Sequence, residues 1–353
     1  MTSAVVCGIG SWVPPTVVTN DELAARLGTS VDWIETRTGI RQRRVVEAGG
    51  STADLAVEAG MRALKSAHLD RADAVVLATT TPDYPCPATA PEVASRLGLA
   101  GVPAMDVNAV CTGFLYAAAT GAGLIATGVA QRVLVIGADT FSTIIDPADR
   151  KTTAIFGDGA GAVVLRRGEP GELGGFGESG EFGGPGELGE PGELGALGPF
   201  DLGSDGELAR LIWVPAGGSR QRSAGLAAPA ADRYFQMQGT TVFRHAVVRM
   251  IQSVRTALGR AGWRIEDVDS LVSHQANARI LAALAAELGI DAGRVVSNID
   301  LVGNTAAASI PLALADAARC GRLRAGHRVV LTAFGGGLTW GATTLRWPDI
   351  TPM

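Results

Sequence analysis

The stretch AIFGDGAGAVVL at residues 154–165 has a counterpart in TAFGGGLTWGATTL at residues 332–345. Both pass from an apolar run through Phe-Gly-x-Gly into a second apolar run, the pattern of two strands joined as a hairpin by a glycine turn. One such stretch near the end of each half of a 353-residue chain reads as an internal duplication. What surrounds each copy agrees. In the first half the buried-strand runs AVVLATTT (74–81) and RVLVIGADT (132–140) accompany the amphipathic segments DELAARLG (21–28) and STADLAVEAGMRALKSAH (51–68). The second half repeats the alternation with TTVFRHAVVRMIQSVRTALGRAG (240–262) as helix, SLVSH (270–274) as strand, ARILAALAAELG (278–289) as helix and RVVLTAFG (328–335) as strand. Such alternation specifies an α/β fold with largely parallel or mixed buried sheets.

Between the halves the pattern breaks. Residues 168–200 contain GEPGELG at 168–174 and again at 189–195. So much Gly, Pro and Glu buries too little apolar surface to offset its ordering entropy. The segment is therefore expected to be a mobile insertion between an N-terminal half, 1–167, and a C-terminal half, 201–353. Its seven glutamates more than account for the formal charge of −5. The remainder is near neutral and carries no global nucleic-acid signature. The start, MTSAVVCGIGSWVPP, has no basic leader, so no export is expected. The apolar run 112–130 is rich in Ala, Gly and Thr and carries Tyr116, which fits a buried central helix better than a membrane span. The four cysteines, Cys7, Cys86, Cys111 and Cys320, are widely spaced with no CxxC pair. That spacing argues against a disulfide framework or a zinc site and for reduced thiols in the cytoplasm.

One cysteine is differently placed. In DVNAVCTGFLYAAATGAGLIATG (106–128), a strand ending near Val110 and a helix starting at or just after Cys111 would set the thiol at a helix N-terminus. Unpaired N–H groups and the positive dipole end favour a thiolate there. The competing reading is that a free cysteine is simply a small buried hydrophobe. Of the four histidines, His274 in SLVSHQANARI stands where a buried strand ends and a helix begins, the usual place for working groups in open α/β folds. Asn304 follows Gly303 at a similar edge in NIDLVGNTAAASIPLALADAA, where it could equally be a turn or cap residue. AFGGGLTWG (333–341) offers successive glycine N–H groups able to cradle an anion. A cysteine, a histidine, an asparagine and an N–H cradle at strand ends form an acyl-transfer constellation.

On DWIETRTGIRQRR (32–44), VNAVCTGFLYA (107–117), DPADRKTTAIFGDGAGAVVL (146–165), HQANARI (274–280), GNTAAASIPLAL (303–314) and AFGGGLTWGA (333–342), the chain resembles the β-ketoacyl-acyl-carrier-protein synthase III family of the thiolase superfamily. The resemblance spans nearly the whole chain. It implies a thiolase-like, duplicated five-layered α/β/α/β/α fold with two mixed sheets, and a homodimer. It also implies the reaction: Cys111 takes an acyl group from acyl-CoA, and malonyl-acyl carrier protein then decarboxylates and condenses with it in a ping-pong sequence. No metal and no separate cofactor is implied, since CoA and the carrier's phosphopantetheine arrive with the substrates. His274 and Asn304 would hydrogen-bond the malonyl thioester oxygen, and the N–H groups of Cys111 and Gly336 would form the oxyanion hole. By the same resemblance Phe334 lies beside the cysteine, Phe141 and Phe156 belong to the acyl pocket, Trp33 and Arg150 clamp the adenine of CoA, and Arg37 meets its phosphates. Arg244 and Arg279 fall at carrier-protein docking positions, with Arg249 nearby.

Two features depart from the family pattern. The loop TTPDYPCPATA (80–90) carries Cys86 where acetyl-using members commonly have the phenylalanine that caps the partner subunit's pocket. This implies a starter larger than acetyl, branched or medium-chain, and leans toward polyketide priming rather than fatty-acid synthesis. The insertion is the other departure. A thiolase-fold acyltransferase that passes the acyl group to an alcohol or amine without decarboxylation is the alternative.

Overall fold

The structure, a computed structural model, describes residues 3–168, 193–225 and 227–353. Five strands form the first sheet: β1 (Ala4–Trp12), β2 (Ala74–Ala78), β3 (Ala104–Val107), β4 (Arg132–Asp139) and β5 (Gly159–Arg167), in the order β1-β5-β4-β2-β3. The second sheet contains β6 (Asp201–Ser204), β7 (Ser270–Ser273), β8 (Arg328–Gly335) and β9 (Thr339–Arg346), in the order β7-β8-β9-β6. In the first sheet β2 runs parallel to β4, β4 antiparallel to β5, and β5 antiparallel to β1. The second sheet repeats this order and sense with β7, β8, β9 and β6. Even β3 has a trace of a counterpart, the single parallel bridge from Leu271 to Val295. The duplication is therefore a property of the strand pairing as well as of the glycine motifs.

Side-chain alternation builds the layers. Along β4, Val133 and Val135 face a middle core while Leu134 and Ile136 face an outer one, as a two-residue period requires. Two helices fill the middle layer, α2 (Gly113–Ala126) and α5 (Ser309–Arg319), and both sheets contribute to their core. Helix α1 (Thr52–Ser66), capped by a Ser51–Asp54 capping box, covers the outside of the first sheet. Helices α3 (Gly239–Ala261) and α4 (Ala278–Leu288) cover the outside of the second. The result is five layers, α/β/α/β/α. The small residues of the central segments have a packing reason. A Cβ on Gly137 would stand 2.3 Å from the Ala307 carbonyl oxygen, so β4 tolerates no side chain where the C-terminal half crosses it. Among the described residues, no helix is long and apolar enough to cross a membrane.

Two expectations need correction. Residues 154–165 are not a hairpin: Ala154–Asp158 form a turn after the short helix Arg150–Thr153, and only Gly159 onward is strand. Their ladder-forming groups are used elsewhere, because Asn304 N–H donates to the Ile155 carbonyl and Gly157 N–H to the Asn304 carbonyl, at 2.9 Å each. The stretch is thereby part of the functional site rather than a sheet edge. Residues 332–345 do form the expected hairpin.

The second correction concerns the glycine-glutamate segment. Residues 169–192 lie outside the described residues, but the expected mobile stretch included 193–200, and these are packed. Val6 N–H donates to the Gly195 carbonyl at 2.7 Å and Gly198 N–H to the Thr344 carbonyl at 2.8 Å, so the segment threads between β1 and β9. Glu193 pairs with Arg166, and Leu197 and Phe200 pack on the middle core. Average composition masked these few apolar residues. A Cβ on Gly168 would lie 2.8 Å from Glu193 Oε2, so the flanks of the undescribed stretch meet. Excising residues 171–190 is accordingly expected to leave turnover within about twofold of wild type. Excising 170–198, which removes the paired residues, should lower the thermal midpoint by several degrees; equal midpoints for both deletions in a thermal scan would contradict this.

Candidate active site

Strand β3 ends at Val107, the turn Val110–Thr112 follows, and α2 begins at Gly113, so Cys111 stands at the entry to the central helix. Val110 immediately before it has φ +49°, a left-handed conformation that a β-branched residue adopts only where surrounding structure enforces it. That enforcement comes from the C-terminal hairpin. A Cβ on Gly335 would stand 2.9 Å from the Cys111 amide nitrogen and 3.0 Å from that of Thr112, so only a glycine backbone can lie this close to the cysteine turn. Thr339 Oγ1 lies 3.1 Å from Thr112 Oγ1, 3.0 Å from the Gly336 carbonyl and 3.2 Å from the Ala109 carbonyl, tying the two turns together. The N–H groups of Cys111 and Gly336 are thus carried on adjoining turns.

The surroundings do not lower the proton affinity of the thiol as its helix-end position suggests. Burial pushes the Cys111 thiol up, and the Asp139 carboxylate pushes it further the same way. The resting group is a thiol, and it becomes a nucleophile only as its proton is removed. Asp139 is itself enclosed at the end of β4. Its Oδ1 accepts from Thr80 N–H (2.7 Å), Thr81 Oγ1 (3.1 Å) and Thr79 Oγ1 (3.3 Å), and its Oδ2 from Ala307 N–H (2.9 Å). Burial raises it to about 6 against the pull of these donors. Sequence reading missed Asp139; a carboxylate closing the apolar strand RVLVIGAD was the available signal.

His274 directly follows β7, with its N–H bonded to the Thr332 carbonyl of β8 at 2.8 Å. Its ring is buried and burial lowers its pKa to about 3, so the imidazole is neutral. Nδ1 lies 2.7 Å from Ser309 Oγ, which leaves Nε2 for other partners. Asn304 is also buried; its Oδ1 accepts from the Ala306 N–H at 2.9 Å, so its Nδ2 hydrogens remain as the available donors. Gly303 before it and Ala306 after it both have positive φ, +73° and +46°, which turns the chain sharply at this point. The Ala306–Ala308 turn packs against the Val110–Thr112 turn, and Ala306 shares a cluster with Cys111. The cysteine turn and the histidine follow the carboxyl ends of β3 and β7, as open α/β sheets favour, whereas Asn304 follows the short helix Ile299–Val302 rather than the strand expected before it, and its segment packs against the cysteine turn.

Behind Cys111 the space is aromatic. Phe141 and Phe156 stack with centroids 4.3 Å apart, and Phe235 meets both edge-on at 5.1 and 5.2 Å. All three are buried, and Cys111 packs against their cluster. Phe141 and Phe156 were expected here; Phe235, in an irregular segment, carried no sequence signal. Phe334 is buried and packs with the group under α3 and α4. Alternation along β8 turns Ala333 to the middle layer and Phe334 to the other face, and Ile212 and Met237, which pack against both groups, join its group to the rings. Cys86 stands on an exposed loop and is not in the cluster around Cys111 of its own chain.

Farther out, Arg37 and Arg150 lie over the Trp33 ring at 5.0 and 5.5 Å, so the three residues expected to meet CoA form one group. Asn277 Nδ2 donates to the Arg37 carbonyl, bringing exposed Arg279 at the start of α4 beside it. Arg244 is exposed on α3. Arg249 is not free in the same way: it lies 3.6 Å from Asp205 and over the Trp340 ring at 4.5 Å. Among the described residues, no three His, Cys, Asp or Glu side chains are placed to hold a metal ion.

Comparison with known proteins places these residues in context. Residues 105–178 match the family model described as 3-oxoacyl-[acyl-carrier-protein] synthase III, and residues 258–347 match the model of its C-terminal part. The chain is 59% identical to a β-ketoacyl-[acyl-carrier-protein] synthase III of Streptomyces coelicolor, over 99% of each chain. It is 53% identical to one of Pseudomonas aeruginosa, over 99% of this chain and 98% of that one. A solved 3-oxoacyl-(acyl carrier protein) synthase III from Pseudomonas aeruginosa superposes with a TM-score of 0.88 at 51% identity, covering 99% of this chain and 100% of the other. The priming β-ketosynthase of a polyketide biosynthetic pathway superposes with a TM-score of 0.85 at 32% identity, covering 98% and 96%. With its duplicated five-layer fold and the cysteine turn held under a glycine hairpin, the chain belongs to the 3-oxoacyl-[acyl-carrier-protein] synthase III family of acyltransferases.

Proposed function

We propose that the chain condenses an acyl-CoA with malonyl-acyl carrier protein to give 3-oxoacyl-acyl carrier protein, CoA and CO2. The Cys111 turn, closed over by Gly335 and packed against the Ala306–Ala308 turn that engages Asn304 and leads to Ser309 on His274, supports this reading. The Cys111 sulfur attacks the acyl-CoA carbonyl; its proton leaves with the CoA thiolate as CoA-SH, and the acyl group stays on sulfur. The oxyanion of the tetrahedral intermediate sits between the Cys111 and Gly336 N–H groups, where fixed donors act on charge as it develops. Malonyl thioester then enters. His274 Nε2–H and an Asn304 Nδ2–H hold its carbonyl oxygen, so the carbon–carbon bond to the carboxylate breaks toward CO2 and an enolate. The enolate carbon attacks the Cys111 thioester, expelling a thiolate that takes up one proton. A neutral imidazole suits the donor role.

Half-buried Trp33 and exposed Arg37 and Arg150 would hold CoA by stacking and charge, and Arg244 and Arg279 would meet an acidic carrier protein. Arg249, engaged by Asp205, contributes less. A second copy of the chain is expected along the β3 edge, beside which the exposed Tyr84–Ala88 loop projects. In that arrangement Cys86 would close the partner's acyl pocket. Three phenylalanines wall the near part of the pocket, and a cysteine instead of a large ring opens its far end. The starter is therefore an acyl group larger than acetyl, branched or medium-chain, which suits polyketide-type priming. Intact-protein mass spectrometry with a panel of acyl-CoAs tests this. Hexanoyl-CoA should load faster than acetyl-CoA, and Cys86→Phe should reverse the preference by about 10- to 200-fold, the scale of pocket discrimination on apolar groups. Acetyl loading 100-fold faster than hexanoyl in the wild type would sink the starter assignment. Acyl transfer to an alcohol or amine with no release of CO2 from malonyl carrier protein would replace the condensation itself.

A further inference from the structure

We propose that Ser309 is a positioning residue that fixes His274 as the tautomer protonated on Nε2, making the imidazole a standing hydrogen-bond donor toward the reacting thioester oxygen. The role of His274 as that donor rests on the condensation proposed above; the tautomer itself does not.

Ser309 Oγ and His274 Nδ1 are 2.7 Å apart, and both residues are buried, 1% and 2% exposed. A hydroxyl carries one proton and a neutral imidazole one N–H. Were that N–H on Nδ1, it would donate to Ser309 Oγ, and the hydroxyl proton would be sealed in the core without the acceptor that Nδ1 provides. With the N–H on Nε2, the serine proton goes to Nδ1 and both groups are satisfied. Burial keeps the ring neutral, so the doubly protonated form does not enter the balance.

The position of Ser309 strengthens the case. It opens α5, five residues after Asn304 on the same segment, and the Ala306–Ala308 turn between them packs on the cysteine turn. Within that segment the Ala306 N–H occupies Asn304 Oδ1, and the Ser309 hydroxyl occupies His274 Nδ1. Each donor side chain has its accepting atom engaged by this one stretch, which leaves its N–H for substrate. One rigid turn therefore orients both donors. The His274 backbone is held separately, by the Thr332 carbonyl and the Ala276 N–H, so Ser309 governs the ring rather than the chain.

The test uses the full-length enzyme with 15N-labelled histidine. The sequence has four histidines, so comparison with His274→Gln assigns the His274 ring signals. At neutral pH, Nε2 should be protonated and Nδ1 bare. Ser309→Ala should show a mixture of tautomers. Its kcat for CO2 release from malonyl carrier protein should fall about 10- to 100-fold, the range for losing an orienting partner behind a functional histidine, with KM little changed. Acylation of Cys111 by acyl-CoA should be unaffected. A wild-type ring protonated on Nδ1 overturns the proposal whether or not the variant folds, as does a folded variant with unchanged tautomer and rate. Absence of CO2 release by the wild-type enzyme would instead refute the condensation and leave the tautomer assignment standing on its spectrum.

Discussion

Cys111→Ala is expected to yield no acyl adduct with any acyl-CoA and to lose condensation by a factor on the order of 10^6, the scale at which enzymes fail without their nucleophile. No other cysteine can substitute. Cys86 and Cys320 are exposed and Cys7 lies on the outer face of the first sheet, so none adjoins the glycine hairpin or the phenylalanine cluster. The variant should fold, because removing one sulfur from a turn held by Thr112, Thr339 and Gly335 disturbs none of those contacts. It should also still release CO2 from malonyl carrier protein, a step assigned to His274 and Asn304. Intact mass and CO2 release measured on the same preparation check both halves. A persisting adduct would move the nucleophile elsewhere in the chain.

The second large effect divides the reaction the other way. His274→Ala and Asn304→Ala should each lower decarboxylation by roughly 100- to 1,000-fold, the cost of removing one preorganised donor from a developing oxyanion. Acyl transfer from CoA to Cys111 should stay within about tenfold of wild type, because the Cys111 and Gly336 N–H groups serve that step. The double variant should lose less than the product of the single losses, since both donors act on one oxygen. Because burial holds the His274 pKa near 3, the imidazole stays a neutral donor, and the decarboxylation profile should show no acid limb near pH 6.5. Single-turnover mass spectrometry for loading, beside CO2 release for decarboxylation, separates the two steps. Equal losses in both would mean that the residues support the whole site and not the enolate.

Much of this site was legible in the chain because Cys111 and His274 come soon after strand ends, which are visible as apolar runs meeting a polar residue. Ser273-His274 is such a junction, the strand before Cys111 ends three residues earlier than the apolar run suggested, and Gly303-Asn304 follows a short helix. Where reading failed, locality was the reason. Residues 154–158 have the composition of a strand, but their backbone groups pair with Asn304, far along the chain. Glu193–Phe200 look like the low-complexity sequence beside them, yet β1 and β9 supply partners that composition cannot show. The helix-end position of Cys111 suggested an acidic thiol, while enclosure and a carboxylate from another strand decide the opposite.

By itself the sequence determined the duplication, the α/β class, one buried central helix and the residue types suited to acyl transfer. These depend on periodicity and on glycine and polar punctuation, which are local properties of a chain. Only the tertiary structure decided which of those residues share a space and in what protonation state: the thiol under the glycine hairpin, the neutral histidine backed by Ser309, the enclosed Asp139 and the third phenylalanine. Burial and proximity set each of these, and both arise when segments distant in sequence exclude water from one another.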